Sequence, residues 1–528
     1  MLNLIIKKII KLKPQNQSEL SKIKRKICGE FKVAPIANSN LFEIYQNLLN
    51  KKEISKQNWL ENLFKKHPIR TLSGVAVVAI LTKPYHCPGK CFYCPTEKKI
   101  PKSYLSNEPA VMRAILCEFD PYKQIQTRLK SLEATGHSTD KVELIIMGGT
   151  WSYLPKQYQT WFIKKCFEAL NNQNNQNKKI NNSLQQLQKD NEKAKYRCVA
   201  LTLETRPDFI DFKEIKRMRK LGCTKVELGA QSLDDSILQF NIRGHKVKQI
   251  IQATKLLKDA GFKVCYHMMP NLPGSTLNKD LKMFKKLFDD SNFRPDLLKI
   301  YPCVVTKNSK LYNFWKQKKY QPYSTKQLIN LLIKIKMIIP NYVRIIRVIR
   351  DIPSNSIEAG NKISNLREIV QNEMEKRQLK CQCIRCKQIK TQNEKFKIQN
   401  IKLFIKKYEA SNGTEYFLSF EDLERKNLYA FLRLRILPQL TNDQVLTVLK
   451  NCAIVREVHT YGQTVAIGKR DKKAIQHFGL GKKLILEAEK IVQNLEIKKI
   501  AIISGIGVRE YYKKLGYGLQ NEYMIKFL

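Results

Sequence analysis

A chain of 528 residues with 43% hydrophobic side chains is too long for one compact core and apolar enough for several, so two or three domains are expected. Its formal net charge of +50 excludes an ordinary near-neutral surface and points to a polyanion, most simply a nucleic acid, although Lys, Asn and Ile are abundant throughout. Fourteen cysteines, with tight triplets at 87–94 and 381–386, suit metal ligation in a reducing, cytoplasmic setting rather than a disulfide framework. No apolar run reaches the about 20 residues that a membrane span requires.

In chain order, residues 1–70 read as helical and basic, and MLNLIIKKIIKLK begins an amphipathic segment suited to lying on a nucleic acid. Its apolar stretch is too short for a secretory signal, and Arg and Ser are too scarce there for a transit peptide. Residues 71–353 then alternate short apolar strands with helical patterns. The strands are predicted at 74–81, 142–147, 198–204, 225–229, 263–269 and 297–302. Six β-then-α repeats predict parallel strands curled into a partial (βα)6 barrel with its site at the strands' C-terminal ends. The Asn/Gln-rich stretch 171–195 interrupts this pattern and is expected to be a disordered insertion without function. A linker over 354–395 carries the second cysteine triplet, and 396–528 reads as a further mixed α/β unit.

The stretch YHCPGKCFYCP follows the first strand and spaces Cys87, Cys91 and Cys94 as C-x3-C-x2-C. Three thiolates can hold a cubane iron–sulfur cluster with one iron open, and that iron can chelate the amino and carboxylate groups of S-adenosylmethionine (SAM) and supply the electron that cleaves it. The alternative is a zinc knuckle completed by a distant ligand such as His86. At the end of the second strand, Gly148 and Gly149 let backbone approach a ligand, with Thr150 beside them. Glu204 and Arg206, in LETRP, belong to the same rim, as ligand contacts or as a plain ion pair.

In the C-terminal unit, Gln476, Gly479 and Gly481 form Q-x-x-G-x-G before a predicted helix over 481–494, a row of N–H groups suited to a pyrophosphate. With strands predicted on either side and YYKKLGY after them, the order resembles the acetyl-CoA site of GNAT acyltransferases. Tyr511 and Tyr512 are candidates to contact the thioester or its leaving sulfur, though at least one is expected to be a core aromatic. Cys381, Cys383 and Cys386 suit a structural zinc whose fourth ligand comes from elsewhere, for example Cys452; free thiols are the alternative. Arg344, Arg347 and Arg350 recur every third residue and are candidates for phosphate contacts or a solvated basic face.

Taken together, HPIRTLSGVAVV, DKVELIIMGGT, LETRPD, VELGAQS, HMMPNLPG, CQCIRC, VREVHTYG and ISGIGVREYYKKLGY resemble the family of the Elongator catalytic subunit and its single-chain archaeal and bacterial relatives, over roughly 67–528. The resemblance implies a radical-SAM barrel fused to a GNAT domain. It implies a tRNA modification enzyme that builds 5-carboxymethyluridine at the wobble position of the anticodon stem-loop, with acetyl-CoA as carbon source. On that resemblance a 5′-deoxyadenosyl radical takes hydrogen from the acetyl methyl, the carbon radical adds to the uracil ring, and thioester hydrolysis releases CoA. By the same resemblance Cys87, Cys91 and Cys94 hold a [4Fe-4S] cluster. Lys141, Glu457, Val458, His459, Thr460, Leu480, Gly481, Lys482 and Tyr512 match acetyl-CoA contacts. Partner subunits or a homodimer are compatible with it. Two departures stand out: Pro95-Thr96-Glu97 after the third cysteine, where Pro-Gly-Gly is usual, and Asn271 where Asp is common. A protein lysine acetyltransferase with Glu457 as general base, and a tRNA-binding scaffold, are the rival readings.

Overall fold

The computed structural model describes residues 2–31, 33–34, 36–64, 74–171, 182–389, 400–437, 446–462 and 479–528. Its first 64 residues hold four helices, Leu2–Leu12, Gln17–Glu30, Asn38–Asn50 and Asn58–Phe64. The apolar residues of the first recur at helical spacing, so Ile5, Ile6 and Ile9 turn inward while its lysines face out. They close a core with Leu20, Tyr45 and Phe64 that is separate from the rest of the molecule.

The central unit is a seven-stranded sheet, all parallel, with strands side by side in chain order. They are β1 (Ala76–Leu81), β2 (Lys141–Met147), β3 (Arg197–Thr205), β4 (Lys225–Gln231), β5 (Lys263–Met268), β6 (Leu297–Ile300) and β7 (Arg344–Arg347). The sheet curls into a half-barrel, as the alternation predicted, but with seven strands rather than six. The extra strand contains two of the three periodic arginines. Side-chain alternation sets the two faces apart. In β2, Val142, Leu144 and Ile146 are buried in the outer core, while Lys141, Glu143 and Ile145 line the lumen.

The expectation of disorder over 171–195 needs correcting. Ser183 caps a helix over Leu184–Asn191 by accepting from the Gln186 N–H, and Leu187 packs into the main core. The amides there serve the backbone: Asn191 donates to the Tyr196 carbonyl at 3.0 Å and accepts from the Cys198 N–H at 2.8 Å. Gln188 donates to the Lys220 carbonyl at 3.0 Å. Composition alone hid these specific bonds. The remainder of that run, 172–181, lies outside the described residues.

The C-terminal sheet comprises β8 (Ile401–Ala410), β9 (Gly413–Asp422), β10 (Leu428–Ile436), β11 (Ala453–Thr460), β12 (Lys499–Ile502), β13 (Gly518–Gln520) and β14 (Tyr523–Phe527), in the order β13-β14-β12-β11-β10-β9-β8. Only β11 and β12 run parallel, joined through the helix Leu480–Asn494. This unit docks on the half-barrel at the feet of its strands. Gly505 lies so close to β3 that a Cβ there would sit 2.1 Å from the Val199 carbonyl oxygen.

Behind that contact runs a wholly buried ion network. Arg456 clasps Asp296 with bonds of 2.6 and 2.8 Å and also reaches Glu415 at 2.9 Å. Arg435 bridges Asp259 at 2.5 Å and Glu415 at 3.0 Å, and Lys258 lies 3.8 Å from Asp296. Asp259, Asp296 and Lys258 belong to the half-barrel and the other members to the C-terminal sheet. No described helix is long and apolar enough to cross a membrane.

Candidate active site

The loop after β1 brings Cys87, Cys91 and Cys94 to the C-terminal mouth of the half-barrel. Gly89 stands among them: a Cβ there would come within 3.4 Å of Cys91 Sγ, 3.6 Å of Cys87 Sγ and 2.5 Å of Arg206 Nη1. Arg243, from the loop after β4, donates to Cys91 Sγ at 3.1 Å and to the Gly229 carbonyl at 2.5 Å. A hydrogen bond from Cys94, then the charge of Arg243, hold the Cys91 thiol well below its ordinary range against the effect of burial. A buried Arg206 Nη1 without a hydrogen-bond partner among the described residues adds positive charge at the same place. Two sulfurs against a side-chain-free backbone, a third hydrogen-bonded to Cys91, and guanidinium groups beside them fit an anionic iron–sulfur cluster. His86 turns instead toward the Tyr153 ring, 6.1 Å between centroids.

Gly148 and Gly149 follow β2 with φ of +131° and +102°, which side-chain-bearing residues rarely adopt. A Cβ on Gly148 would lie 2.1 Å from Thr82 Oγ1. A Gly148→Ala variant is expected to carry strain of about 1–3 kcal/mol at the rim, and calorimetric titration should show weakened SAM binding with the fold retained. Glu204 accepts from the Tyr104 hydroxyl at 2.8 Å and lies 3.5 Å from Lys299 Nζ.

From this mouth a single cavity of about 2600 Å³ continues through the lumen to the C-terminal sheet. Its wall carries charges in layers. Glu227 is ion-paired with Lys299 and lies 3.6 Å from Lys225, which pairs with Glu143 below it. His267 Nε2 is 2.8 Å from Glu227. Burial alone would raise the Glu227 carboxyl, but Lys299, His267 and Lys225 outweigh it and hold the group well below the usual carboxylate range.

At the far end lie Lys141, Val458, His459, Thr460, Gly481 and Tyr511. Gly479 starts the helix Leu480–Asn494 in the left-handed region at φ +69°, leaving the first N–H groups of that helix without a side-chain cap. A Cβ on Gly481 would touch the Tyr511 hydroxyl at 3.3 Å, Thr460 Cγ2 at 3.6 Å and Val458 Cγ1 at 4.0 Å, so the missing side chain leaves a slot between strand and helix. Lys482 and the buried Tyr512 also reach the cavity, while Leu480 packs into the core. Burial brings the His459 imidazole down to about 4, and its Nε2 has no hydrogen-bond partner among the described residues. These features fit a CoA nucleotide and its pantetheine arm. Gln476 lies outside the described residues. Glu457 is tied to Arg433 at 2.9 Å and to Lys263 at 3.6 Å; against the effect of burial, Lys263 and Arg433 hold it down to about 2, a poor general base.

The second triplet gathers tightly, with the sulfurs of Cys381, Cys383 and Cys386 all within 4.8 Å of one another. Tetrahedral zinc with Zn–S bonds of about 2.3 Å sets sulfurs about 3.8 Å apart, so the spacing fits that ion. Cys452 is not available as a fourth ligand. It precedes β11, whereas Tyr461, which senses the charge of Cys383, follows that strand. Eight residues of strand separate the two ends by about 27 Å.

The periodic arginines do not share one face. Arg344 donates to Gln388 at 2.7 Å and to the Tyr461 hydroxyl at 2.9 Å. Arg350 donates to the Ser103 carbonyl at 2.6 Å and lies 3.2 Å from Glu108. Both are internal braces on the cavity wall; Arg347 pairs with Asp351 and stays exposed. Spacing by three marks a helix face only in a helix, and here it falls on β7 and the turn after it.

Comparison with known proteins matches residues 82–287 to the Radical SAM superfamily and 295–376 to the Radical_SAM C-terminal domain. A tRNA uridine(34) acetyltransferase of Methanocaldococcus jannaschii is 47% identical, covering 88% of this chain and 87% of that one. Elongator complex protein 3 of Schizosaccharomyces pombe is 37% identical over 97% of this chain and 99% of its own. This chain belongs to that family. The solved structure of Methanocaldococcus infernus Elp3 with an N-terminal deletion superimposes at a TM-score of 0.75, with 44% identity over 86% of this chain and all of the other. Family membership brings with it the [4Fe-4S] cluster and SAM of radical-SAM enzymes and the acetyl-CoA of an acyltransferase.

Sequence reasoning missed the lumenal residues Glu143, Lys225, Glu227, His267 and Lys299, and the cluster-facing Arg243. The signal was present in KVELG: charged residues at alternate positions in a strand flanked by helical segments imply one apolar and one polar face, hence a lined lumen.

Proposed function

We propose that the protein converts the wobble uridine of tRNA to 5-carboxymethyluridine, taking the two carbons from acetyl-CoA. The observation that carries this reading is the continuous cavity joining the cysteine loop to the Gly481–Tyr511 slot through the half-barrel. Two carbons can pass between cofactors only where the two sites open into one shared space.

With the cluster and SAM bound at the mouth, reductive cleavage of SAM supplies the hydrogen-abstracting chemistry. The chain's own residues do the rest. Cys87, Cys91 and Cys94 hold the cluster, Arg243 and Arg206 balance its charge, and Gly148 and Gly149 admit the SAM methionine portion. Lys141, His459 and the helix at Leu480 hold the CoA end, and Tyr511 and Tyr512 flank the entry of the pantetheine arm. The polar lumen lies between the half-barrel wall and the C-terminal sheet, within reach of both ends. The two lysine-rich helices Leu2–Leu12 and Gln17–Glu30 are assigned to the tRNA body, and fourteen cysteines without a disulfide suit a reducing cytoplasm.

The test is anaerobic. Protein reconstituted with iron and sulfide receives SAM, dithionite, acetyl-CoA and unmodified tRNA, and the nucleosides are analysed by mass spectrometry. The reading requires 5-carboxymethyluridine, lost in Cys87→Ala and reduced in Tyr512→Phe; a loaded enzyme that cleaves SAM without ever modifying uridine refutes it. Cys381, Cys383 and Cys386 are proposed to hold a structural zinc. Cys383→Ser is expected to abolish stoichiometric zinc by elemental analysis and to lower thermal stability, without removing the iron of the first triplet.

A further inference from the structure

Two ends of one lumen impose an order on the substrate. Acetyl-CoA enters from the C-terminal sheet, while SAM is cleaved at the opposite mouth, about 20 Å away along the seven residues of β2. The acetyl methyl must therefore point up to the mouth, with its carbonyl below it and the CoA sulfur below that. The layer of wall just beneath the mouth is built from Glu227, His267 and Lys299. On β5, His267 stands about 13 Å above Lys263, the residue paired with Glu457 of the C-terminal sheet.

We infer that His267, oriented by Glu227, is the general base that releases CoA by hydrolysing the thioester whose carbonyl stands at this layer, before or after its two carbons are joined to uridine. The inference rests on the reading above that both cofactors act in this cavity. The ionised Glu227 carboxylate accepts from His267 Nε2–H at 2.8 Å, which fixes the tautomer and leaves Nδ1 as the basic nitrogen. The ring is partly open, at 14% side-chain exposure, and lines the cavity; Tyr301 packs edge-on to it, 5.3 Å between centroids. Lys299, in strand register with His267, brings an ammonium to the same layer, where an oxyanion can accept from it, while Lys225 reaches Glu227 from the register of Lys263 below. Cys265 Sγ also lies within 4.8 Å of the Glu227 and His267 ligand atoms, a grouping able to hold a cation. The Glu227 carboxylate is already taken by the Lys299 ammonium and by His267.

The step balances without a redox partner. Water adds its oxygen to the thioester carbon as its proton passes to Nδ1. The C–S bond then breaks, its electron pair leaves on sulfur, and the imidazolium returns the proton to that thiolate. The products are a free thiol and a carboxylic acid, which ionises to solvent.

The experiment compares wild type with His267→Gln and His267→Ala in two assays of the full chain. The first follows CoA release from acetyl-CoA with tRNA present but without SAM or reductant. The second is the complete reaction, with tRNA analysed for a uridine still bearing CoA as its thioester. General-base loss is worth about 10²–10⁴-fold, so CoA release should fall at least about 100-fold in both variants with acetyl-CoA affinity unchanged. The tRNA–CoA adduct should accumulate, and added imidazole should restore release in His267→Ala. Wild-type release by His267→Gln overturns the inference, as does a slowed variant that imidazole does not rescue, or one that fails to bind acetyl-CoA, because either result assigns His267 a structural role. If wild type itself never modifies uridine yet the first assay behaves as described, the functional reading falls and the base assignment stands.

Discussion

Cys91→Ala should leave a folded protein that neither retains its iron–sulfur cluster nor cleaves SAM. Cys91 is buried and accepts from Arg243, whose charge favours the thiolate form that iron binds. Its removal costs a direct ligand and leaves the Arg243 charge facing an empty site. Arg243→Met separates these effects. It keeps all three sulfurs but removes the donor behind Cys91, and outer-sphere changes of this kind cost about 10–100-fold in affinity or activity. The expected order is wild type, then Arg243→Met, then Cys91→Ala, the last falling beyond that range. Iron and sulfide content, the visible absorption of the cluster and 5′-deoxyadenosine formation together check it. Equal cluster content in wild type and Cys91→Ala would remove the first triplet from the iron site.

The second large effect is on stability and lies far from the mouth. Asp296 accepts two bonds from Arg456 and has Lys258 and Arg433 within 4 Å, all fully buried. Burial alone would raise its carboxyl, but Arg456, Lys258 and Arg433 hold it far below the usual range. Asp296→Ala strands these positive charges away from water, and breaking a buried pair from one side costs about 3–5 kcal/mol. Because a multidomain chain need not unfold in one step, the check is differential: thermal scanning and limited proteolysis should show the C-terminal sheet loosening first. Since the folded carboxyl is depressed, its stabilising contribution is fully present above the ordinary carboxylate pKa and is lost only as pH falls below it. The difference between wild type and Asp296→Ala should therefore be flat from pH 6 to 8.

Much of this architecture is legible in the sequence because apolar strands alternate with helical patterns. The six predicted strands lie within two or three residues of β1–β6, and the helix predicted at 481–494 begins one residue earlier. The cysteine triplets are legible because ligand spacing is local. The lumen is not, because it is assembled from residues on different strands: no window of sequence holds Glu143, Lys225, Glu227, His267 and Lys299 together. β7 was hidden by its own charge, since RIIRVIR reads as a basic face until Arg344 and Arg350 are seen to brace the Tyr461 and Glu108 neighbourhoods. The helix at Leu184–Asn191 was hidden by composition, because an Asn/Gln-rich run gives no sign of which amide meets which backbone group.

The joint between the two sheets bears on how such a chain can change over generations. At Gly505 the approach to Val199 admits no side chain, and beside it each unit supplies the charges that neutralise the other. A drift in either partner must be answered across the joint before the next can be tolerated, so the two halves are coupled as tightly as two strands of one fold. Exchanging the acyltransferase half for an unrelated one would expose carboxylates that no substitute arginine was shaped to meet.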